Sequence, residues 1–257
     1  MIYVNCGCGS RFSTEREWVN IDFNGSEIGV KRHNILKNLP FKNEQVDAVF
    51  SSCMLEHFTK EQGYNHIKEC YRVLKWGGVI RIVVPDLEDV CKEYLRILDL
   101  VRDGNVNRER YEYILIELID QMTRTQSGGE MRKYWQREDR DEEYILERTG
   151  YPEAAHHKKT FSSRIRDAFR YGMYTLFGRT ALYESMKNNS FIKSGELHKW
   201  MYDEYNMSML LAEVGFKNVK RVMANESIIA NWEKYGLEMD GNREYKPHSL
   251  YMEAIKG

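Results

Sequence analysis

The sequence predicts an α/β fold, a mostly parallel sheet with helices on both faces. The first observation is an apolar segment, Ile2–Cys6, that runs directly into Gly7 and Gly9. Glycine at the carboxyl end of a parallel strand permits a positive φ and lets a ligand lie against the main chain. The second is that later apolar runs alternate with segments of helical periodicity, as in βαβ units. The third is the end of the chain, where a helical segment is followed by Gly-Phe and two strand-like runs.

The composition limits the classes of protein to consider. A chain of 257 residues can form one large α/β domain, or a core domain with a substantial insertion. Its 38 basic and 39 acidic residues give a formal charge of −1, whereas a protein that holds a long phosphate backbone is usually basic. The charge balance therefore disfavours nucleic acid as a partner.

The five cysteines are expected to be reduced thiols. Cys6 and Cys8 stand in the glycine turn at a spacing unlike that of a zinc knuckle, and no second Cys/His pair stands nearby. No apolar run approaches the length of a membrane span, and the N-terminus is predicted to be a strand rather than a signal peptide. We therefore expect a cytoplasmic protein with no bound metal.

Asp22 ends the second predicted strand, Trp18–Asp22. A carboxylate at this point can accept hydrogen bonds from both hydroxyls of a ribose. The alternative is an aspartate that caps a surface turn, and the glycine turn upstream favours ribose. Asp22 follows the turn sooner than the roughly 20 positions of the dinucleotide fingerprint, and Phe12 stands where a third glycine belongs. The short spacing leaves room for two helical turns at most, and the missing third glycine disfavours a nicotinamide or flavin dinucleotide.

The next elements are predicted from local signals. Val46–Ser52 is rich in β-branched and aromatic residues and predicts a buried strand. Thr59 and Gln62 form a capping box that starts a helix. Gly77-Gly78 is expected to end this helix and to lead into the strand Val79–Val84.

Asp86 is predicted to be the N-cap of the helix that follows. It also lies at the carboxyl edge of the sheet, the edge that carries the glycine turn. A contact to substrate or a role as a base is therefore the alternative, with capping favoured.

The middle of the chain predicts a helical insertion. A strongly amphipathic helix is expected over Arg108–Met122, and residues 123–150 are expected to be mainly loop. His156, His157 and Arg164 then open a basic, amphipathic stretch over residues 156–177, which could bind a substrate phosphate or pyrophosphate. It could also rest on an anionic membrane, pack against a second subunit, or be a solvated helix of its own domain.

The core is expected to resume at Asp203, an N-cap, in a helix that Gly215 ends. The runs Lys217–Met223 and Ser249–Ile255 then predict the last two strands.

Several of these motifs, taken in order, carry a resemblance to a known family. They are Tyr3–Ser10, Trp18–Asp22, Leu39-Pro40-Phe41, Val46–Ser52, Leu55-Glu56-His57-Phe58, Arg72–Gly78 and Ile80–Asp86. The chain resembles the class I S-adenosylmethionine-dependent methyltransferases, closely over residues 2–90 and loosely over 200–256. It is most similar to small predicted bacterial methyltransferases associated with surface-sugar pathways.

The resemblance implies a Rossmann-like, seven-stranded, mostly parallel sheet whose final two strands are antiparallel. It also implies S-adenosylmethionine as cofactor, with S-adenosylhomocysteine as product. On this basis residues 1–90 are the first part of the cofactor-binding core, 91–200 a helical insertion that forms a lid, and 201–257 the rest of the core.

The resemblance further implies which residues contact the cofactor. The matching positions are Asn5, Cys6, Gly7, Gly9, Asp22, Phe23, Asn34, Ile35, Ser51, Ser52, Leu55 and His57. Asn34 would accept from the adenine amine, with a plain turn asparagine as the alternative. Ser51-Ser52-Cys53-Met54 stands where methyltransferases of exocyclic base amines carry an Asn/Asp-Pro-Pro-Tyr/Phe turn, which argues against DNA bases as substrate.

The expected reaction is methyl transfer to a small or carrier-linked acceptor, with a sugar hydroxyl preferred. A hydroxyl acceptor needs a base, for which His57 is the first candidate and Asp86 the next, followed by His156, His157 and His198. The expected substrate contacts are His156, His157, Arg164 and His198. The rival interpretations are a protein that binds the cofactor without catalysis, as a sensor or partner subunit, and an aminopropyl transferase, which the basic segment disfavours.

Overall fold

The computed structural model of the protein describes residues 1–25, 27–150, 191 and 195–257. The chain divides into two compact units: a core unit of Met1–Cys91 with Lys199–Gly257, and an insertion unit of Lys92–His198. The predicted substrate residues His156, His157 and Arg164, and the rest of the basic stretch, lie outside the described residues.

The core unit contains a seven-stranded sheet. The strands of the chain are β1 Tyr3–Cys6, β2 Trp18–Asp22, β3 Val30–Arg32, β4 Val46–Ser52, β5 Leu74–Pro85, β6 Phe216–Arg221, β7 Met239–Asp240, β8 Arg243–Glu244 and β9 Ser249–Lys256. The sheet has the order β3-β2-β1-β4-β5-β9-β6, and β7 and β8 form a separate two-stranded hairpin. Strands β1 to β5 are parallel, whereas β9 is antiparallel to both β5 and β6. The predicted seven-stranded, mostly parallel sheet is confirmed.

The two faces of the sheet are covered differently. On one face the helices α1 Lys60–Val73 and α6 Glu204–Val214 pack against an aliphatic core. On the other face an aromatic cluster fills the space, and its members are Tyr3, Trp18, Phe50, Trp232 and Tyr235. Edge-to-face contacts between these rings add to the free energy of burial.

Helix α1 begins as predicted and ends earlier than predicted. The backbone amide of Gln62 donates to Thr59 Oγ1 (3.2 Å), and the amide of Thr59 donates to Gln62 Oε1 (3.0 Å). The prediction that Gly77-Gly78 ends the helix is wrong, because α1 stops at Val73 and both glycines lie within β5. Leu74 is fully buried and already pairs with β4, and a register shift before Val79 absorbs the glycines as a bulge.

The remaining helices lie in the middle of the chain. They are α2 Leu87–Arg102, α3 Arg108–Thr123, α4 Gly129–Trp135 and α5 Glu142–Thr149. The last two occupy residues 123–150, so the prediction that this stretch is mainly loop is wrong. The carboxylate of Asp120 accepts from the amide of Glu130 (2.7 Å), and Asp141 caps α5 through the amide of Tyr144 (2.9 Å). Capping and burial of Tyr134 and Tyr144 stabilise helices too short to show a clear period.

Within the part of the chain that the structure describes, no helix combines the length and the apolar character that crossing a membrane requires. The five cysteines are free thiols, as expected.

A buried arginine ties β5 to the C-terminal part of the core. Arg81 is fully buried and donates to Glu238 Oε2 (2.6 and 2.8 Å) and to Glu253 Oε1 (2.9 Å). Its remaining donors reach the carbonyl oxygens of Met223, Ala224 and Glu226. Every N–H of the guanidinium therefore has an acceptor, which is what makes a buried charge tolerable.

Replacing Arg81 should destabilise the fold strongly. Arg81→Ala leaves two buried carboxylates without their cation, which costs on the order of 3–5 kcal/mol of unfolding free energy. Urea denaturation of Arg81→Ala and of a control, Lys75→Ala, measures this. Lys75 pairs with Asp47 at the surface (2.8 Å), so its loss should cost less than about 1 kcal/mol. Equal effects of the two variants would contradict the structural role assigned to Arg81.

A buried histidine should make the stability depend on pH. Burial lowers the pKa of His66 to about 4. Between roughly pH 6.5 and 4, His66 is therefore protonated in the unfolded chain but neutral in the folded chain. The stabilising term is fully present above this window and is lost as the pH falls through it, by up to about 3 kcal/mol. Urea denaturation across this pH range should show a smaller loss for His66→Leu than for the wild type. The half-buried His33 offers the control His33→Gln, and an equal loss in wild type and His66→Leu would contradict the assignment.

Candidate cofactor site at the carboxyl edge of the sheet

The glycine turn after β1 is built by its own backbone. Gly7 and Gly9 have φ values of +68° and +52°, which glycine adopts without strain. The amide of Gly7 donates to the carbonyl oxygen of Ile21 (2.9 Å) and so joins the turn to β2. Buried Asn5 donates from Nδ2 to the carbonyl oxygen of Arg11 (3.2 Å). The side chain of Asn5 thus links the two ends of the glycine turn.

Asp22 is held on this turn. Its Oδ2 accepts from the amide of Gly9 (3.0 Å), and its Oδ1 accepts from the amide of Asn24 (2.9 Å). Each carboxylate oxygen keeps further acceptor capacity. The next residue, Phe23, is 61% exposed. A solvent-exposed aromatic ring therefore follows directly after the fixed carboxylate.

The space above the turn differs between its two glycines. A Cβ at Gly7 would lie 2.7 Å from Met54 Cγ and Sδ, whereas a Cβ at Gly9 would meet no atom within 4 Å. Buried Ser51 lies below Met54, with its Oγ 4.0 Å from the sulfur. The open approach to the main chain is therefore at Gly9, on the side of Asp22.

The two cysteines of the turn are not reactive thiols. Burial raises the pKa of Cys8 to about 12, with the nearby charge of Asp22 as a second cause, and burial also raises the pKa of Cys6. Both stay protonated at neutral pH. Cys6 is fully buried in the aliphatic core, so any contact it makes with a ligand is through the backbone.

Asn34 and Ile35 follow β3, as predicted. Oδ1 of Asn34 accepts from the amide of Leu36 (3.1 Å), and Ile35 is buried in the aliphatic core. This is the geometry of a turn asparagine, the alternative weighed above. One lone pair of the oxygen is left for an adenine amine, and that role stays a prediction.

The end of β4 places His57 at the same edge. Beyond Ser52, Cys53 adopts a positive φ of +47°, and Leu55–His57 forms a 3₁₀ turn. Leu55 is buried, whereas the side chain of His57 is 26% exposed. The carbonyl oxygen of the residue between them, Glu56, accepts from the amides of Lys199 (2.7 Å) and Trp200 (3.3 Å).

Asp86 caps α2, as predicted. Its Oδ1 accepts from the amides of Glu88 (3.0 Å) and Asp89 (3.4 Å), and its Oδ2 pairs with Arg221 (2.8 Å). Both oxygens of this buried carboxylate are engaged in structure. A role as a base stays a prediction.

His198 belongs to the insertion unit, of which it is the last residue. It is buried, and its amide donates to the carbonyl oxygen of Gln121 (3.0 Å). The predicted contact to substrate stays a prediction.

Sequence reasoning missed the segment between β6 and β9. Arg11, just after the glycine turn, donates to the carbonyl oxygens of Leu237 (3.3 Å) and Met239 (2.7 Å) and lies 4.1 Å from the ring centroid of Tyr245. These partners are more than 200 positions away in the chain, so no local pattern could have linked them.

Sequence reasoning also missed Glu56, which is 1% exposed. Glu56 stands between Leu55 and His57, both predicted cofactor contacts, but nothing in the neighbouring residues indicates that its carboxylate is buried. Burial raises the pKa of Glu56 to about 7, against the opposing charge of Lys246 and a hydrogen bond from Cys53.

The sheet order, the glycine turn and the carboxylate fixed upon it are those of a Rossmann-like α/β fold. Residues 6–82 match the model of the family described as "Methyltransferase domain". The resemblance described above implies S-adenosylmethionine as cofactor, and Asp22, the exposed ring of Phe23 and the open main chain at Gly9 fit its adenosine.

Relatives at the level of sequence are similar over a limited stretch. The protein described as "Probable tRNA methyltransferase 9B" is 30% identical over 101 residues in Homo sapiens and 29% identical in Mus musculus. The match covers 35% of this chain and 22% and 23%, respectively, of those proteins. The chain thus spans under a quarter of the curated relatives it matches.

Two solved structures are similar over most of the chain. A SAM-dependent methyltransferase from Archaeoglobus fulgidus is 13% identical, with a TM-score of 0.42 over 99% of this chain and 85% of that one. A possible histamine N-methyltransferase from Thermotoga maritima is also 13% identical, with a TM-score of 0.38 over 100% of this chain and 82% of that one.

The two turn glycines should respond differently to substitution. Gly9→Ala introduces only the strain of a left-handed backbone, about 1–2 kcal/mol. Gly7→Ala introduces the same strain and also displaces Met54, so it should destabilise the fold more. Chemical unfolding of both variants without ligand tests the order. A larger loss for Gly9→Ala would contradict the described position of Met54.

Proposed function

We propose that this protein transfers a methyl group from S-adenosylmethionine to a small or carrier-linked acceptor, with a sugar hydroxyl as the preferred acceptor. The observation that supports it most is the carboxylate of Asp22, fixed by the amides of Gly9 and Asn24 beside open main chain. In this proposal Asp22 accepts from the two ribose hydroxyls, and Phe23 offers an exposed ring for stacking on adenine.

The remaining chemistry is positioning and proton removal. The bound cofactor supplies a methyl group already activated by its sulfonium. The chain must hold an acceptor oxygen in line with that methyl and exclude water. His57, partly exposed at the end of β4, is the residue we propose to take the proton from the acceptor hydroxyl.

The sugar acceptor is supported by the resemblance of the sequence to methyltransferases of surface-sugar pathways. We place specificity in the insertion, with His198 and the undescribed His156, His157 and Arg164 as contacts to a phosphate or pyrophosphate of the substrate. Contact of residues 156–177 with a membrane surface or a second copy of the chain is part of the same proposal.

A second candidate is methyl transfer to RNA. It is favoured by the match to the proteins described as probable tRNA methyltransferase 9B. The formal charge of −1 weighs against it, because binding an RNA backbone usually requires a basic surface.

Binding of S-adenosylhomocysteine tests the cofactor site. Calorimetry should show binding by the wild type and a roughly ten- to hundredfold weaker affinity for Asp22→Ala, since a hydrogen bond to a charged group contributes about 1.5–3 kcal/mol. Asp99→Ala, at an exposed position of α2, is the control and should bind like the wild type. At a hundred times the dissociation constant the ligand should add about 2.7 kcal/mol to the unfolding free energy. Absence of binding by the wild type would refute the proposed function.

The acceptor is found by measuring S-adenosylhomocysteine release with nucleotide-linked sugars, lipid-linked sugars and transfer RNA. Turnover with a sugar supports the first proposal, and turnover with RNA alone supports the second. Tight cofactor binding without turnover on any acceptor would instead indicate a non-catalytic sensor or partner subunit.

A further inference from the structure

Glu56 differs from the other two buried glutamates of the core unit, Glu238 and Glu253. Both oxygens of Glu253 accept hydrogen bonds, from Arg81, Ser227 and the amide of Ile228, and Oε2 of Glu238 accepts two from Arg81. Glu56 is equally buried, but its Oε2 has no hydrogen-bond partner among the described residues. Buried polar atoms are nearly always paired, so an orphaned carboxylate oxygen calls for an explanation.

The backbone around Glu56 is fixed, although its carboxyl group is not saturated. The amides of Lys199 and Trp200 donate to its carbonyl oxygen, and buried Leu55 anchors the 3₁₀ turn. The main chain of Glu56 is therefore held at the carboxyl edge of β4 by contacts that do not involve its carboxyl group. This position lies along the same edge as the glycine turn, since β4 is the neighbour of β1.

The charged and titratable groups around Glu56 come from several elements. The imidazole Nε2 of His57 lies 4.0 Å from Oε1. Cys53 is hydrogen-bonded both to Glu56 and to Lys246, which lies on the loop before β9. Lys246 and Tyr202 also interact electrostatically with Glu56. Lys246 supplies a compensating positive charge without saturating the carboxylate.

Glu56 and His57 differ in their exposure to solvent. Glu56 is inaccessible, whereas His57 is partly exposed. A buried carboxylate behind a partly exposed imidazole orients the ring and stabilises its protonated form, which strengthens the imidazole as a base.

We propose that Glu56 is the positioning residue for His57, a buried carboxylate that orients this imidazole and stabilises its charge as it takes up the acceptor proton. The inference rests on the proposed methyl transfer. In that step the acceptor oxygen forms a bond to the methyl carbon, and the bond from carbon to sulfur breaks with its electron pair returning to sulfur. The acceptor proton moves to His57, and the carboxylate of Glu56 balances the imidazolium.

The state of Glu56 sets the pH range of this pair. Burial raises the pKa of Glu56 to about 7, so the carboxylate form, which supports His57, is populated from about pH 7 upwards. Because the two groups are adjacent, they titrate as a coupled pair rather than independently.

Titration of the histidine side chains by NMR in the full-length protein tests the inference without any substrate. The His57 signals are assigned as those lost in His57→Asn. We expect the His57 pKa to be about one unit lower in Glu56→Gln than in the wild type, because the neighbouring negative charge is gone. Glu56→Asp keeps the charge and should restore most of the shift, and the control Glu61→Gln, in the exposed first turn of α1, should change nothing. Should Glu56→Gln not fold, Glu56→Met removes the charge while filling the space.

An unchanged His57 pKa in Glu56→Gln overturns the inference, whether or not methyl transfer is observed. Where transfer is measured, the acid limb of the kcat/KM profile should move to lower pH in Glu56→Gln, with a lower plateau. An unmoved acid limb also overturns it, because a merely structural role would lower activity at every pH alike. Failure of the proposed function is recognised separately, by the absence of S-adenosylhomocysteine binding in the calorimetry.

Discussion

The buried guanidinium of Arg81 is the interaction on which the arrangement of the C-terminal part of the core depends. It joins the centre of β5 to Glu253 in β9 and to Glu238 in the segment after β6. Its bonds to three carbonyl oxygens fix residues 223–226 as well. Since none of these groups could be buried alone, the segment that covers the aromatic face can pack only with the arginine in place. The same chain then continues to Lys246, beside Glu56.

Two kinds of buried acid thus occur in one small core. Glu238 and Glu56 both have a pKa raised by burial to about 7, so the shift itself does not distinguish a structural from a functional group. The partners distinguish them. Oε2 of Glu238 accepts two bonds from Arg81. Glu56 instead has a carboxylate oxygen without a hydrogen-bond partner among the described residues, a lysine shared with a thiol and a partly exposed histidine.

The parts of the fold that could be predicted from the sequence were those specified by neighbouring residues. The glycine turn, the strands β2 and β4, the capping box at Thr59 and the caps at Asp86 and Asp203 each depend on a few consecutive positions. The end of α1 was missed because pairing of Leu74 with Val46 overrides the local signal of Gly77-Gly78. Glu56 was not predicted because its role depends on its burial and on Lys246, 190 positions later. The residues next to Glu56 in the sequence indicate neither. Arg11 and its partners were missed for the same reason.

Asp22 and Asn34 are the two polar side chains expected to contact the adenosine. Their existing hydrogen bonds indicate which of the two contacts should contribute more to the binding free energy. Asp22 is already aligned by the amides of Gly9 and Asn24 and still has free acceptor capacity, so a ribose meets a carboxylate that need not reorganise. Asn34 has committed its oxygen to the amide of Leu36, and a bond to the adenine amine must share that oxygen. An exposed ring such as Phe23 recognises any flat base. Adenosine recognition in this protein should therefore depend on the ribose more than on the adenine amine, because the ribose contact is the one prepared in advance.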